Sequence, residues 1–148
     1  MQPRNPSSAL RILVVEDLHD SADSLALLLR LWGYESVVAY DGLSALDMAS
    51  AHSPDVVLLD IGLPGMDGCE AARQLRQLPG MDKALLLAIT GYGHKADIQR
   101  CKEAGIDSHF LKPVDPAELQ QVLRRAEQFG RKDSTDVRAP LRVAANRS

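Results

Sequence analysis

Five short apolar runs alternate with five segments of helical spacing along most of the chain, and few folds satisfy that order. The runs are RILVVE (11–16), YESVVAY (34–40), DVVLLD (55–60), ALLLAIT (84–90) and SHFLK (108–112). Short apolar runs bounded by turn residues read as strands. Between and after them, SADSLALLLRLWG (21–33), GLSALDMASAHS (42–53), GCEAARQLRQLP (68–79), KADIQRCKEAG (95–105) and DPAELQQVLRRAEQFG (115–130) space their apolar residues as helices do. Asp20 or Ser21 suits an N-cap, Pro116 a first turn, and Gly33, Gly105 and Gly130 C-terminal stops. A strand followed by a helix and another strand implies parallel strands, right-handed crossovers and helices on both faces. The expected fold is α/β, a doubly wound five-stranded parallel sheet flanked by five helices.

Residues 1–9 and 130–148 fall outside the alternation, so the chain is expected to divide into a flexible N-terminal segment, one domain over 10–129 and a disordered tail. The 45% hydrophobic and 25% charged content over 148 residues suits one ordinary core. The net charge of −3 is uneven: residues 130–148 hold five Lys/Arg and two Asp, leaving −6 for residues 1–129. An acidic folded part is no nucleic-acid footprint, so no direct DNA binding is expected. There is no run of about 18 apolar residues and no signal peptide in MQPRNPSSALRILVVED, so a cytoplasmic protein with no membrane contact is expected. Cys69 and Cys101 lie 32 positions apart without CxxC spacing or a His/Cys cluster; they are expected as reduced structural thiols on helices. His19, His52 and His94 are expected to be exposed, and Trp32, Leu25, Leu28 and Leu29 to belong to the core.

In an open parallel sheet, ligands bind beyond the carboxyl ends of the strands. Glu16 and Asp17 end the first run, Asp60 the third, Thr90 the fourth and Lys112 the fifth. Three converging carboxylates repel one another unless a cation sits among them. Oxygen ligands and no nitrogen or sulfur cage point to Mg²⁺ and away from zinc. With Lys112 opposite, such a site can neutralise phosphoryl oxygens while a carboxylate acts as nucleophile. Asp60 suits that role because DVVLLDIGLPGMDG delivers it from a strand into a glycine-rich loop with room for approach.

These residues resemble the receiver domains of two-component response regulators over roughly residues 10–129, through VVED, LLDIGLPGMDG, AITGYG and HFLKPVDPAEL in that order. The resemblance implies strand order 2-1-3-4-5. It implies Asp60 as phosphoacceptor, and Glu16, Asp17 and Asp60 with the Gly62 backbone carbonyl as ligands to Mg²⁺ or Mn²⁺. Thr90 becomes the hydroxyl that moves to the phosphoryl group, Lys112 its cationic partner, and the Lys112–Pro113 bond is cis in many such domains. Where the family usually has a switching Tyr or Phe this chain has His109, whose ring is smaller and can change charge near neutral pH. Gly62 and Gly91 leave access to the acceptor, and Tyr92 is placed to shield the phosphoryl group from water. The implied partners are a histidine kinase or histidine phosphotransfer protein and a downstream target on the face of helix 4, strand 5 and helix 5. The domain is then no conventional enzyme, although it catalyses its own phosphorylation and slow dephosphorylation. The 19 residues after the pattern are too few for an output domain, so output through a partner, or relay onward, is expected.

Three other readings fit less well. A flavodoxin-like cofactor binder wants a Ser/Thr/Gly-rich phosphate cradle where this chain has the acidic EDLHDSADS. A phosphatase resembling the haloacid dehalogenase family needs a second aspartate where Gly62 stands. A pseudo-receiver that binds partners without phosphorylation would not need the complete set of site residues.

Overall fold

The computed structural model describes residues 10–63, 65–91 and 95–134, with the side chains of 95–98 and 129–134 left aside. Strands β1 (Arg11–Val15), β2 (Glu35–Ala39), β3 (Val56–Asp60), β4 (Leu85–Thr90) and β5 (Ser108–Leu111) form one sheet in the order β2-β1-β3-β4-β5, every pair parallel. Between them run α1 (His19–Leu31), α2 (Gly42–His52), α3 (Gly68–Gln77) and α4 (Lys95–Glu103), and α5 (Pro116–Ser134) follows β5. The expected doubly wound sheet and strand order are those observed.

Strand side chains alternate between the faces, and the core divides accordingly. Leu13, Val15, Val57, Leu59, Leu86 and Ala88 pack with residues of α2, α3 and α4. Ile12, Val14, Val56, Leu58, Leu85 and Leu87 pack with residues of α1 and α5. All five residues of β3 are buried, which explains why its sequence is apolar without alternation.

Several helix ends differ from expectation. α1 begins at His19 behind Leu18, which makes no side-chain cap; instead the Leu18 N–H donates to Glu16 Oε2 at 3.2 Å, so the site's own carboxylate serves the entry to the helix. α5 passes through Gly130, since a glycine in a helix interior costs only about 1 kcal/mol relative to alanine. Gly33 and Gly105 follow α1 and α4 with positive φ, as C-terminal stops do. At Gly68 an added Cβ would lie 2.5 Å from Ile61 Cα, so only glycine lets α3 start against the end of β3.

The cysteines overturn an expectation. Cys69 and Cys101 form a disulfide, with Cα atoms 4.7 Å apart. Their separation of 32 residues carries no information about distance; the packing of α3 beside α4 does.

One polar hub also has no signature in the sequence. Arg76 of α3 donates to the carbonyls of Met81, Ala84 and Gly105 and pairs with Asp107 at 2.7 Å, and Asp107 accepts a further bond from the Leu86 N–H. The pair joins α3 to the segments that precede β4 and β5 and is largely buried. Removing one partner of a buried pair leaves an uncompensated charge. Arg76→Ala is therefore expected to cost about 3–5 kcal/mol of stability by urea denaturation. A loss below about 1 kcal/mol, as for an exposed pair, would show that Arg76 does not carry this junction.

Candidate functional site

The site residues stand where the sheet's hydrogen bonding runs out, and that bonding fixes them. The Glu16 N–H donates to Ala39 O at 3.1 Å, Ile61 N–H to Ile89 O at 3.0 Å and Lys112 N–H to Thr90 O at 2.7 Å, extending the ladder beyond the last residue of β1, β3 and β5. Asp60 is in register with Ile89, and Thr90 lies one residue further along β4. Glu16, Asp60 and Thr90 are buried, and Asp17 is half-buried.

Glu16, Asp17 and Asp60 each present a carboxylate oxygen within 4.8 Å of the other two. Lys112 Nζ lies 2.9 Å from Asp60 Oδ2 and 3.6 Å from Glu16 Oε1. The other Asp60 oxygen, Oδ1, accepts from the Gly62 N–H at 2.9 Å. A Cβ built on Gly62 would sit 3.6 Å from that oxygen, an ordinary contact distance. The Thr90 hydroxyl is buried and has no hydrogen-bond partner among the described residues, a costly state for a donor unless something else is to receive it.

One ammonium does not balance three carboxylates, and the energetics show it. Burial first, and then the hydrogen bond and charge of Asp60, push the Glu16 carboxyl from its ordinary 4.5 up to about 7, against the opposing Leu18 N–H and Lys112. Burial works against the charge of Lys112, but its contacts with Asp60 and Glu16 outweigh this and hold its pKa above the ordinary value. An all-oxygen, acidic set of this kind fits a hard divalent cation, with Glu16, Asp17 and Asp60 as its protein ligands.

The remaining expected residues are placed as follows. The Lys112–Pro113 bond is cis. Gly91 is half-buried directly after β4, and His109 is half-buried on β5 beside Ala88. His19 and His52 are exposed, and the His19 ring stacks on Tyr40 with centroids 3.7 Å apart. Tyr92, His94 and the tail after Ser134 lie outside the described residues. The sequence reading missed the contact of Leu18 with Glu16 and the tie between Asp67, the N-cap of α3, and Arg100 of α4 at 2.7 Å. An aspartate directly before a glycine-led helix is the available signal for the Asp67 cap; nothing in the spacing marks Arg100 as its partner. A cavity of about 290 Å³ near the opposite end of the sheet, lined by Arg11, Glu35 and His52 among others, contains none of the site residues.

A parallel sheet with an acidic triad, a lysine and a hydroxyl on its carboxyl rim defines a class of phosphoryl-handling signalling domains, and comparison with known proteins agrees. Residues 12–124 match the family model of the response regulator receiver domain, and the chain belongs to that family. It is 34% identical over 115 residues to the sporulation initiation phosphotransferase F of Bacillus subtilis (strain 168), covering 78% of this chain and 91% of that protein. It is 39% identical over 114 residues to the DNA-binding response regulator MtrA of Mycobacterium tuberculosis (strain ATCC 25618 / H37Rv), covering 77% of this chain and only 49% of that one. Among solved structures it is similar to the receiver domain of a sensor histidine kinase of Pseudomonas aeruginosa PAO1, which holds a magnesium ion in its active-site cleft. That likeness has a TM-score of 0.74 at 30% identity and covers 82% of this chain and 99% of that one. Receiver domains act in two-component signalling. Among the described residues, no helix is long and apolar enough to cross a membrane.

The raised Glu16 pKa has a thermodynamic consequence. Between 4.5, the unfolded value, and about 7 the folded state holds more protons at Glu16 than the unfolded state does. Its contribution to stability is then fully present below the unfolded value and is lost as pH rises through about 7. Urea midpoints are expected to show this fall in wild type, a smaller one with millimolar Mg²⁺ present, and none of it in Glu16→Gln. Equal slopes in wild type and Glu16→Gln would contradict the assignment.

Proposed function

We propose that this receiver is a phosphorylation-controlled switch, with Asp60 taking a phosphoryl group from the phosphohistidine of a histidine kinase or histidine phosphotransfer protein. The observation that carries this is the Asp60 carboxylate, held at the rim of a rigid sheet with Lys112 on Oδ2, the Gly62 N–H on Oδ1 and an unpartnered Thr90 hydroxyl at the next position of the adjoining strand. An Asp60 oxygen attacks phosphorus as the N–P bond breaks, and the electron pair leaves with the imidazole of the donor. Lys112 neutralises one phosphoryl oxygen and the Thr90 hydroxyl donates to another. Glu16, Asp17, Asp60 and the Gly62 carbonyl would hold Mg²⁺, or Mn²⁺ in its place. Such an ion supplies charge neutralisation to the phosphoryl oxygens.

The phosphoryl group adds about 1.5 to 2 negative charges. Lys112 is drawn from Glu16 toward them and Thr90 inward, and His109 on β5 adjusts beside them. The face of α4, β5 and α5 changes with these residues, and a downstream protein reads it. Slow hydrolysis resets the domain; Gly91 leaves the acceptor accessible and Tyr92 regulates entry of water. The acidic charge of residues 1–129 supports a protein partner over DNA, and the residues outside the alternation serve as flanking segments. A cytoplasmic location accords with this chemistry.

Intact-protein mass after incubation with acetyl phosphate provides the test. A single phosphoryl adduct is expected in wild type with Mg²⁺, and none without Mg²⁺ or in Asp60→Asn. A folded wild type that takes no adduct from acetyl phosphate or from a phosphohistidine donor would instead be a phosphorylation-independent binding module.

A further inference from the structure

The seam between α3 and α4 is built from small side chains. Ala71 and Ala72 of α3 and Ala104, just past α4, belong with Cys69 and Cys101 to the core layer on that side of the sheet. The cysteines are 2% and 0% exposed, and their Cα separation of 4.7 Å lies inside the span a disulfide bridges. They are the two cysteines of the chain, so neither has a competing partner within it.

Their positions along the chain matter more than their burial. Cys69 is the second residue of α3, directly after the loop that leaves Asp60. Cys101 lies in α4, the helix that follows β4 and therefore Thr90. The bond thus joins the segment behind the acceptor carboxylate to the segment behind the hydroxyl. Asp67 and Arg100 cross the same seam at 2.7 Å, but both are substantially exposed, so that contact can open and close freely. The covalent tie cannot open without a chemical reaction, and it fixes the N-terminal end of α3 to α4, whereas Arg76 ties the C-terminal part of α3 to the segment after α4.

We propose that Cys69 and Cys101 are a reversible thiol/disulfide couple that locks α4 to the start of α3 when oxidised and frees it when reduced. The lock itself is independent of the receiver reading; its effect on signalling rests on that reading. The oxidant is a low-molecular-weight disulfide. One cysteine thiolate attacks it, forming a mixed disulfide and expelling one small thiolate. The second cysteine thiolate then attacks the sulfur of the first and expels the other. Two protein thiols lose two protons and two electrons, and the small disulfide becomes two thiols; small thiols in excess run the exchange backwards. Because both sulfurs are buried, exchange requires the seam to open, which makes the state of the pair a slow variable set before phosphoryl transfer. In a reducing compartment, disulfides of this kind are transient and redox-sensing more often than structural.

The test equilibrates the full chain with mixtures of reduced and oxidised glutathione, then counts free thiols by alkylation in denaturant and measures hydrogen exchange of the α4 amides. Both thiols are expected to convert together across the mixtures. In the oxidised form α4 is expected to exchange about tenfold more slowly than in the reduced form, with Cys69→Ala/Cys101→Ala matching the reduced form. Should the double variant not fold, the reduced wild type supplies the same comparison. With acetyl phosphate and Mg²⁺, Asp60 should load in both states, while α4 exchange changes on loading in the reduced state alone. A pair fixed as thiols or as disulfide across all mixtures, or equal α4 exchange in the two states, overturns the proposal. If Asp60 takes no phosphoryl group in either state, the receiver reading fails, and the exchange of the unphosphorylated protein still decides the lock.

Discussion

Glu16, Asp17 and Asp60 are held with carboxylate oxygens within 4.8 Å of one another by a sheet that has little freedom to yield. In a flexible loop such groups would separate and stay solvated. Here the ladder bonds of Glu16, Ile61 and Lys112 prevent separation, so the repulsion is stored as a demand for positive charge. Lys112 meets part of that demand and protonation of Glu16 another part. The site is organised around what would meet the rest, a divalent cation, and around a phosphoryl group whose arrival would redistribute the same charges.

This constraint explains why the fold surrounding the site is rigid where it is. β3 is buried along its length because it is the central strand with helices on both faces, and this holds Asp60 firmly at the rim. Gly68 lets α3 begin immediately against Ile61, which shortens the acceptor loop and keeps the Gly62 N–H directed at Asp60. Leu18 reaches back to Glu16 at the other end of the triad. The backbone thus supplies donors to two of the three carboxylates and leaves Asp17 the more exposed.

Most of this was legible in the sequence, for identifiable reasons. Alternation of strand and helix leaves one sensible class of topology, and residues at strand ends must share a rim, so Glu16, Asp17, Asp60, Thr90 and Lys112 could be gathered without coordinates. What escaped notice were contacts between elements remote in sequence and carrying no periodic mark. Nothing in the spacing of Arg76 and Asp107 marks them as partners; the packing of α3 against the segments before β4 and β5 makes them a buried pair. Cys69 and Cys101 lack every spacing that identifies a cysteine pair, yet neighbouring helices bring them together. Asp20 and Ser21 are the residue types that cap helices, but α1 enters two residues earlier behind Leu18 with no side-chain cap, so capping chemistry does not mark its start.

The two faces of the sheet are held by different means. On one face α1 and α5 contribute the aliphatic side chains Leu29, Leu119, Val122 and Leu123 beside Ala22 and Ala126, supplemented by the Tyr34 hydroxyl on Glu127 at 2.7 Å. On the other, α2, α3 and α4 contribute chiefly Ala45, Ala49, Cys69, Ala71, Ala72 and Cys101, with Leu75 the one large aliphatic among their buried residues in that cluster. Small side chains bring backbones close but bury less apolar area per residue, at roughly 25 cal/mol per Å², so dispersed burial holds these helices less firmly. Discrete ties stand in for it: Arg76 to Asp107, Asp67 to Arg100, Cys69 to Cys101. A helix held by broad burial loosens only when the core does. One held by a few discrete ties can be released singly, by charge in one case and by electrons in another, while the sheet beneath it keeps the acceptor in place.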